Sequence, residues 1–384
     1  MRVLRILTRA NIGGPTRQAL ALWDQDPAVG TQTLLAVGRC AAGEPEIDLG
    51  DRPVLVADQI DEGCRGLVRV RRLGRAARPW RDLRAVRALR ALIRRFRPDI
   101  VHTHTSQAGL FGRRAAFLED VPVIAHTFHG HVLSDYYPAP VNFVLRRLEA
   151  QLARRTHLPL AVSPSCQREL HQMGIADGRI QVLPPALHLA PFQAADRLDA
   201  RHRLGVAGNF VVGFVGRLVP VKRPEIFVDL LASMPSMLGV VLGDGPRRER
   251  LKAAPNIRFL GSVERPEEYL AGLDALVLCS RREGCPLVAL EAFAAGVPVI
   301  GFDVPGIRDV LQEWGTGILV PPEHGLEGLR SALREVQAGG AAVTERIEQA
   351  RAGLGRFEPA QVAAQLVEHY VSARHRRVAL QAEV

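Results

Sequence analysis

Short apolar runs alternate with helix-forming stretches along almost the whole chain, and this alternation constrains the fold more than any other feature. A chain that passes repeatedly from buried strand to helix builds parallel sheets with helices on both faces. The pattern therefore predicts an α/β fold. The predicted strands are Val3–Thr8, Thr33–Val37, Val54–Ala57, Ile100–His104, Val121–His126, Leu158–Val162, Ile180–Leu183, Phe210–Val215, Met237–Leu242, Ile257–Leu260, Ala275–Cys279, Val297–Phe302 and Ile318–Val320. The predicted helices include Thr16–Trp23, Trp80–Phe96, Gly109–Leu118, Val141–Arg155, Pro164–Met173, Val288–Ala295 and Gln361–Arg376.

Chain length and one break in this pattern predict two domains. At 384 residues the chain exceeds the size of an ordinary single core. The alternation lapses between Pro184 and Gly205, so we place the boundary there. We expect one doubly wound domain at residues 1–187, a second at 188–359, and a C-terminal helix at 360–384. Ligands of such sheets bind at the carboxyl ends of the strands, so functional residues are expected on loops of both domains, facing a central cleft.

Cysteine usage and the N-terminus bear on location. The five cysteines are scattered and lack CxxC spacing, which favours reduced thiols in a cytoplasm over disulfides or a zinc site. Residues Met1–Leu7 have the pattern of a strand, not of a signal peptide, and no run of about twenty apolar residues exists. The sequence therefore predicts a cytoplasmic protein, either soluble or peripheral on the inner face of the plasma membrane.

One segment is strongly basic. Thirteen arginines fall between Arg65 and Arg97, in a chain of net charge +10. An apolar stripe at helical spacing runs through the segment and consists of Leu83, Val86, Leu89, Ile93 and Phe96. A core-packed helix with a solvated basic face is favoured over contact with an anionic membrane surface, which stays open. Nucleic-acid binding is disfavoured, because no basic–aromatic interleaving or recognised motif accompanies the charge.

Two glutamates stand eight positions apart after a predicted strand. Glu283 falls on a strand-to-helix loop, and Glu291 falls about two turns further on, inside the helix. The backbone N–H groups between Gly284 and Val288 point out of the start of that helix, where anions are attracted. A carboxylate beside a helix N-terminus suits a ligand with both hydroxyls and phosphates, and a nucleotide-activated sugar is such a ligand.

Two further loops have the composition of phosphate-binding loops. Arg217 and Lys222 follow the predicted strand Phe210–Val215, five positions apart, and together they can neutralise a diphosphate. A surface salt bridge is the alternative. After the first strand, Gly13 and Gly14 permit close approach of the backbone to an anion, although a plain strand–helix turn would have the same residues.

Histidines cluster near two strand ends. His126, His129 and His131 follow one another at i, i+3 and i+5, which invites a metal hypothesis. Strand alternation points His126 and His129 to opposite faces, and no further ligand is evident, so a metal site is disfavoured. His102 and His104 share one face of another strand and are interpreted as structural.

The pair Asp24 and Asp26 forms a DxD pattern, which in some sugar-transfer enzymes holds a divalent ion. Here the pair ends the first predicted helix, and Pro27 turns the chain away. We interpret it as a solvated turn.

Taken in order, these segments resemble the GT-B retaining glycosyltransferases of family 4 over nearly the whole chain. The resemblance to the family's C-terminal half rests on Gly216-Arg217 with Lys222, Gly243-Asp244-Gly245-Pro246, Phe259-Leu260-Gly261, and Glu283 with Glu291 followed by Gly296-Val297-Pro298-Val299. The resemblance to the N-terminal half rests on Gly13-Gly14, Val101-His102-Thr103-His104 and Thr127-Phe128-His129-Gly130-His131. It implies two Rossmann-like domains, of which the first binds the acceptor and the second the nucleotide-sugar donor. It also implies that the C-terminal helix, 360–384, packs back on the first domain.

The resemblance also implies roles for individual residues. Arg217 and Lys222 would bind the donor diphosphate. Glu291 would bind the ribose, and Glu283 the donor sugar. His129 would contact the donor sugar near the reacting carbon.

Backbone contacts to the donor are implied at further positions. Gly13 and Gly14 would close over the phosphates, and the backbone near Leu260 would read the base. The donor sugar would lie beside the stretch Gly284-Cys285-Pro286-Leu287, in which Gly284, Cys285 and Leu287 carry a backbone N–H.

The implied reaction is retaining transfer from a nucleoside-diphosphate sugar, most commonly a UDP-sugar, to a saccharide or lipid-linked acceptor in bacterial surface-polysaccharide assembly. It needs no metal and no other cofactor, because cations of the protein and helix amides stabilise the leaving diphosphate. Alternatives on the same fold are a nucleotide-sugar epimerase or a phosphorylase. A non-enzymatic basic binder of membrane or nucleic acid is the remaining alternative.

Overall fold

The computed structural model describes residues 1–40, 46–71, 73–74, 79–130, 133, 138–176, 178–206, 208–252, 254–314 and 316–382. The chain divides into two compact units. The first unit comprises Met1–Leu187 together with Phe357–Val384, and the second comprises His188–Arg356. The chain thus leaves the first unit after residue 187 and returns to it at residue 357, against an expected return at 360.

The first unit contains an eight-stranded sheet in which every strand pair is parallel. The strands are β1 (Arg2–Leu7), β2 (Gln32–Val37), β3 (Val54–Leu55), β4 (Gly66–Arg69), β5 (Ile100–His104), β6 (Val123–Phe128), β7 (Leu158–Ala161) and β8 (Gln181–Val182). Their order across the sheet is β3-β4-β2-β1-β5-β6-β7-β8. The helices are α1 (Gly14–Gln25), α2 (Pro79–Phe96), α3 (Ser106–Leu118), α4 (Ala139–Arg154), α5 (Pro164–Gln172) and, from the end of the chain, α13 (Pro359–Ala382).

Alternate residues of the strands enter two different cores of this unit. On one face, Leu4 and Val101 pack with the buried side chains of α2 and α3. On the other face, Val3 and Ile100 pack with α1 and with Tyr370 of α13. The last helix therefore completes the hydrophobic core of the first unit.

The second unit contains a six-stranded parallel sheet. Its strands are β9 (Phe210–Val215), β10 (Met237–Leu242), β11 (Ile257–Gly261), β12 (Ala275–Leu278), β13 (Val299–Phe302) and β14 (Ile318–Val320), in the order β11-β10-β9-β12-β13-β14. Its helices are α6 (Ala190–Gln193), α7 (Arg197–Leu204), α8 (Pro224–Ala232), α9 (Glu267–Leu270), α10 (Leu287–Ala294), α11 (Gly325–Ala338) and α12 (Ala341–Ala352).

In both sheets the chain adds strands first on one side of the unit's first strand and then on the other side. This reversal point lies between β1 and β5 in the first unit and between β9 and β12 in the second. Loops that leave neighbouring strands on opposite sides of such a point diverge and leave room for a ligand. The predicted α/β fold with parallel sheets is confirmed, and the reversal points single out the loops after β1, β5, β9 and β12.

Most strands differ from their predicted bounds by one or two residues, and one strand was not predicted at all. The strand β4 lies inside the arginine-rich segment, where its four residues were not recognised. Strand β6 begins at Val123 and not at Val121, because Pro122 lacks the N–H that a ladder needs, and it continues to Phe128. His129 is consequently the first residue after the carboxyl end of β6.

The basic segment packs mainly as a core helix. Within α2, the side chains of Val86, Leu89, Ile93 and Phe96 are buried, whereas Leu83, the fifth member of the predicted stripe, is 46% exposed. Four cations of the segment are paired inside the unit, since Arg90 and Arg94 bind Glu119, Arg95 binds Asp58 and Arg97 binds Glu62. These pairs support the core-packed interpretation of the segment.

The interpretation of Asp24 and Asp26 as one solvated turn is wrong for Asp26. Its carboxylate is 1% exposed and lies 3.3 Å from the guanidinium of Arg5, which is 2% exposed in the middle of β1. Thr31 donates a hydrogen bond of 2.7 Å to the same carboxylate. Asp24 alone lies at the surface, paired with Arg52.

Among the described residues, no helix combines the length and the apolar composition that crossing a membrane requires.

Candidate functional site

The loops after β9 and β12 meet at the reversal point of the second sheet. Strand β9 ends at Val215 and is followed by Gly216, and the chain then forms a 3₁₀ turn at Pro220–Lys222. The N–H of Arg281, on the loop after β12, donates a hydrogen bond of 2.8 Å to the carbonyl of Val221. This backbone bond places the predicted diphosphate loop and the Glu283 loop side by side.

Lys222 and Glu283 form the centre of this site. The ammonium of Lys222 lies 2.6 Å from Oε1 of Glu283, with side-chain exposures of 21% and 12%. Ser280, which is buried, donates a hydrogen bond of 2.6 Å to the same carboxylate oxygen. The sequence predicted both charged residues as donor ligands, and the structure brings them into direct contact.

Arg223 fixes the position of Lys222 although it was not among the predicted site residues. Its Nε donates to the carbonyl of Cys279 at 2.7 Å, and its Nη2 donates to that of Ser280 at 3.3 Å. Its guanidinium lies 4.8 Å from the ring centroid of Phe302, and its backbone adopts φ 48°, a left-handed conformation. A non-glycine residue in that conformation stores strain of about 1–3 kcal/mol, which these contacts offset.

A third loop, after β13, supports the backbone of Glu283. The N–H of Glu283 donates to the carbonyl of Pro305 at 3.3 Å. Gly306 has φ +79°, and a Cβ added to it would lie 2.2 Å from the carbonyl oxygen of Glu283 and 3.0 Å from that of Gly284. Only glycine permits this contact, so the Glu283 loop rests directly on the backbone of Gly306.

The remaining predicted donor residues belong to the same unit. Arg217 is exposed directly after Gly216. Helix α10 begins at Leu287, so its N–H groups in the first turn follow the Gly284-Cys285-Pro286 stretch of the loop. Glu291, inside α10, is 2% exposed. Leu260 lies near the end of β11, where it is 37% exposed.

The predicted residues of the first unit also follow strand ends. Gly13 caps α1, and Gly14 is the first residue of that helix. His129 is half-buried, and its Nε2 lies 2.9 Å from Nδ1 of His104 at the end of β5. Burial lowers the pKa of His129 to about 3, so its ring is neutral near pH 7.

The other described histidines of this group are buried. Burial lowers the pKa of His102, His104 and His126 well below the usual value, and neighbouring charged groups lower it further. His126 bonds Thr103 at 2.8 Å. The described residues hold no group of three or more His, Cys, Asp or Glu side chains placed to bind a metal ion. His131 lies outside the described residues.

Sequence reasoning missed the supporting residues Ser280, Arg223 and Gly306. They act through contacts between loops that follow different strands, and no local spacing encodes such contacts. A weak signal exists for Gly306, because a Pro-Gly pair follows the strand β13.

Two family models match the chain. The model described as Glycosyltransferase Family 4 matches residues 46–190, and the model described as Glycosyl transferases group 1 matches residues 209–338.

Curated relatives are glycosyltransferases. A GDP-mannose-dependent alpha-mannosyltransferase of Mycobacterium tuberculosis is 33% identical over 300 residues, 74% of this chain and 76% of the relative. The UDP-Gal:alpha-D-GlcNAc-diphosphoundecaprenol alpha-1,3-galactosyltransferase of Escherichia coli is 30% identical over 250 residues, 60% of this chain and 64% of that protein. The match to the D-inositol 3-phosphate glycosyltransferase of Geodermatophilus obscurus spans 61% of that protein, so the chain spans less than two thirds of these last two relatives.

Solved structures share the fold over almost their whole length. The Anabaena protein Alr3699/HepE in complex with UDP and glucose has a TM-score of 0.75 at 20% identity, covering 97% of this chain and 100% of that one. Sucrose-phosphate synthase from Thermosynechococcus elongatus has a TM-score of 0.79 at 19% identity, with 97% and 98% covered. The two parallel-sheet units and these neighbours define a GT-B fold. The chain belongs to glycosyltransferase family 4.

Proposed function

We propose that the chain transfers a sugar from a nucleoside-diphosphate sugar to an acceptor hydroxyl, with retention of anomeric configuration and without a metal ion. The observation that carries the proposal is the contact between Lys222 and Glu283 at the reversal point of the second sheet. At this point a cation that would bind the diphosphate lies beside a carboxylate that would bind sugar hydroxyls. Family membership gives the site its reaction class.

The proposed chemistry is stabilisation of the leaving group. As the anomeric bond breaks, negative charge develops on the departing diphosphate. Lys222, Arg217 and the first turn of α10 supply positive charge and N–H donors where that charge grows. These groups take the place that a divalent ion would have, and the departing phosphate oxygen accepts the proton of the acceptor hydroxyl.

Glu283 is assigned to binding rather than to nucleophilic attack. Its Oε1 is already engaged by Ser280 and Lys222. A nucleophilic role in the manner of retaining glycosidases needs a second carboxyl group about 5 Å away as acid. We propose instead that Glu283 accepts hydrogen bonds from hydroxyls of the donor sugar, and that Glu291 and the backbone near Leu260 hold the nucleoside.

The donor and acceptor are assigned by analogy with relatives. We propose a UDP-sugar donor, because the E. coli relative's name specifies UDP-galactose and the Anabaena neighbour is bound to UDP. That E. coli relative acts on a sugar carried by diphosphoundecaprenol. A lipid-linked saccharide acceptor in surface-polysaccharide assembly is therefore proposed here as well.

One set of assays tests this function. Thermal unfolding is measured with UDP, GDP, ADP and TDP, and the nucleotide that raises the Tm identifies the base, since a ligand at 100 times its Kd stabilises by about 2.7 kcal/mol. Transfer from the matching sugar nucleotide is then followed with and without excess EDTA, and the product anomer is determined by NMR. We expect full activity in EDTA and the anomeric configuration of the donor.

The same assays separate the alternatives. Loss of activity in EDTA would reject the metal-free scheme, and an inverted product would reject retention. An epimerase would convert the donor without any acceptor, whereas a transferase would release only a trace of free sugar. No response to any nucleotide would favour the non-enzymatic alternative.

A glycine substitution tests the support of the Glu283 loop. In Gly306→Ala the new methyl group must displace the carbonyls of Glu283 and Gly284. A misplacement of about 1 Å at a reacting centre costs about 10²-fold in rate, so we expect a loss of that order in kcat/KM. The measurement is steady-state kinetics together with the Tm.

Gly339→Ala is the matched control. Gly339 also has a positive φ, +68°, but a Cβ there meets nothing within 4 Å. Both variants carry backbone strain, and only Gly306→Ala moves the loop. Equal kcat/KM in the two variants would show that Gly306 acts on stability alone.

A further inference from the structure

Two histidines lie on one face of β5, and the second of them contacts His129 at the end of β6. His102 and His104 stand two residues apart, so both side chains point to the same face of the sheet. Both are completely buried, and their rings stack with centroids 4.3 Å apart. Burying the polar ring of a histidine costs free energy. Two stacked histidine rings in a core therefore indicate a role beyond packing.

His102 is held rigidly at both ring nitrogens. Its Nδ1 lies 2.6 Å from the hydroxyl of Tyr370 on α13, and its Nε2 lies 2.7 Å from the hydroxyl of Thr127 on β6. The ring cannot rotate without breaking one of these bonds. The ring of His102 is therefore fixed in one orientation, and the ring of His104 stacks against it.

One ring nitrogen of His104 has a hydrogen-bond partner, and the other has none among the described residues. Its Nδ1 faces Nε2 of His129 at 2.9 Å. Its own Nε2 is buried and has no partner among the described residues. A hydrogen bond between two neutral rings needs a hydrogen on one of the facing nitrogens and a lone pair on the other.

The unpartnered Nε2 of His104 determines which of the two rings donates the hydrogen bond. If His129 donated, His104 would carry its hydrogen on Nε2, as a buried N–H without an acceptor, which is the rarer and costlier defect. If His104 donates from Nδ1, its Nε2 keeps only an unused lone pair. His129 then accepts at Nε2 and carries its single hydrogen on Nδ1.

We propose that His104 is a positioning residue for His129, holding that ring in one orientation and in the Nδ1–H form so that it can donate a hydrogen bond to a hydroxyl of a substrate sugar. The assignment rests on the proposed function, to which it adds His129 as a ligand of a substrate sugar. Burial keeps both rings neutral near pH 7, since it lowers the pKa of each. The sugar is thus met by a neutral donor and not by a cation.

The variants are chosen to separate positioning from structure. His104→Ala removes the donor to His129. His104→Asn retains an N–H close to the place of Nδ1. His126→Asn alters an equally buried histidine that is hydrogen-bonded to Thr103, and it serves as the control for general loss of packing.

The first readout does not depend on activity. In the protein labelled with ¹⁵N-histidine, long-range ¹H–¹⁵N correlation spectra distinguish the two neutral ring forms. We expect His129 in the Nδ1–H form in the wild type, in His104→Asn and in His126→Asn, and a mixture of forms in His104→Ala. A wild-type His129 with its hydrogen on Nε2 would overturn the proposal, even if His104→Ala failed to fold.

The second readout is a double-mutant cycle on kcat/KM. We expect His104→Ala to lose about tenfold, the value of one hydrogen bond, and His104→Asn to recover most of it. In a His129→Ala background, His104→Ala should cause no further loss. Additive losses would overturn the proposal. If the wild type transfers no sugar at all, the proposed function fails, while the spectra still decide the ring form of His129.

Discussion

Lys222→Ala is expected to lower kcat/KM for sugar transfer by about 10²–10³-fold while the protein stays folded. The ammonium of Lys222 is the cation nearest to Glu283, and Arg223 and the bond between Arg281 and Val221 hold it in place. Its removal takes away charge where the leaving diphosphate becomes more negative. Arg217, exposed on the same loop, cannot replace it, because it is not held by these contacts.

Stability should change little in this variant. The ion pair with Glu283 is partly exposed, and such pairs contribute about 0–1 kcal/mol. Ser280 still donates to Glu283 after the change, so the carboxylate keeps a partner. The Tm and the circular dichroism spectrum should therefore match those of the wild type, and the loss should lie in catalysis.

The chain offers a natural control, because Lys252 is its only other lysine. Lys252 is exposed, so Lys252→Ala removes the same charge from the protein without touching the loops of the site. Kinetics of both variants, with calorimetric titration of the nucleotide, make the comparison. Wild-type turnover in Lys222→Ala, or equal losses in both, would refute the donor-site assignment.

Asp26→Asn is expected to destabilise the protein by about 3–5 kcal/mol, because it leaves the guanidinium of Arg5 buried without its counter-charge. Burial alone would lower the pKa of Arg5, and the Asp26 carboxylate raises it above the usual value. A guanidinium is not deprotonated in proteins at ordinary pH, so Arg5 stays charged when Asp26 is neutralised. The bond from Thr31 can survive in the asparagine variant, so the loss reports on charge.

Differential scanning calorimetry measures this effect, and we expect a decrease in Tm of about 10 °C. Asp24→Asn is the control two residues away. Asp24 is 33% exposed and paired with Arg52 at the surface, where such a pair contributes about 0–1 kcal/mol. If both variants unfolded at the same temperature, Asp26 would not be the counter-charge of Arg5 in solution.

The regular part of the fold follows from local pattern. Strands β5, β9, β10 and β14 have the bounds that the sequence predicted, because buried parallel strands are continuous apolar runs with clear ends. Glu283 and Glu291 fall on the predicted loop and helix for the same reason. The short strand β4 was not predicted, because arginines interrupt the apolar pattern around it.

The side-chain partners could not be predicted in the same way. The Asp26 carboxylate was misjudged because the residues around it have the composition of a turn, and its partner is in another element. A clue was present in Arg5, since a charge in the middle of an apolar strand needs a buried counter-charge. Likewise, the contact of His104 with His129 joins two strand ends that only the sheet order makes neighbours.

The first unit is assembled from two distant stretches of sequence, and this arrangement affects how a nascent chain folds. Domains generally fold as units while the ribosome is still adding residues. The initial 187 residues lack the core side chains Val362, Leu366 and Tyr370 until the last helix has been translated. The second unit is continuous from His188 to Arg356 and has no such delay. The second unit can thus complete its native packing before the first unit does, although most of the first unit is synthesised earlier.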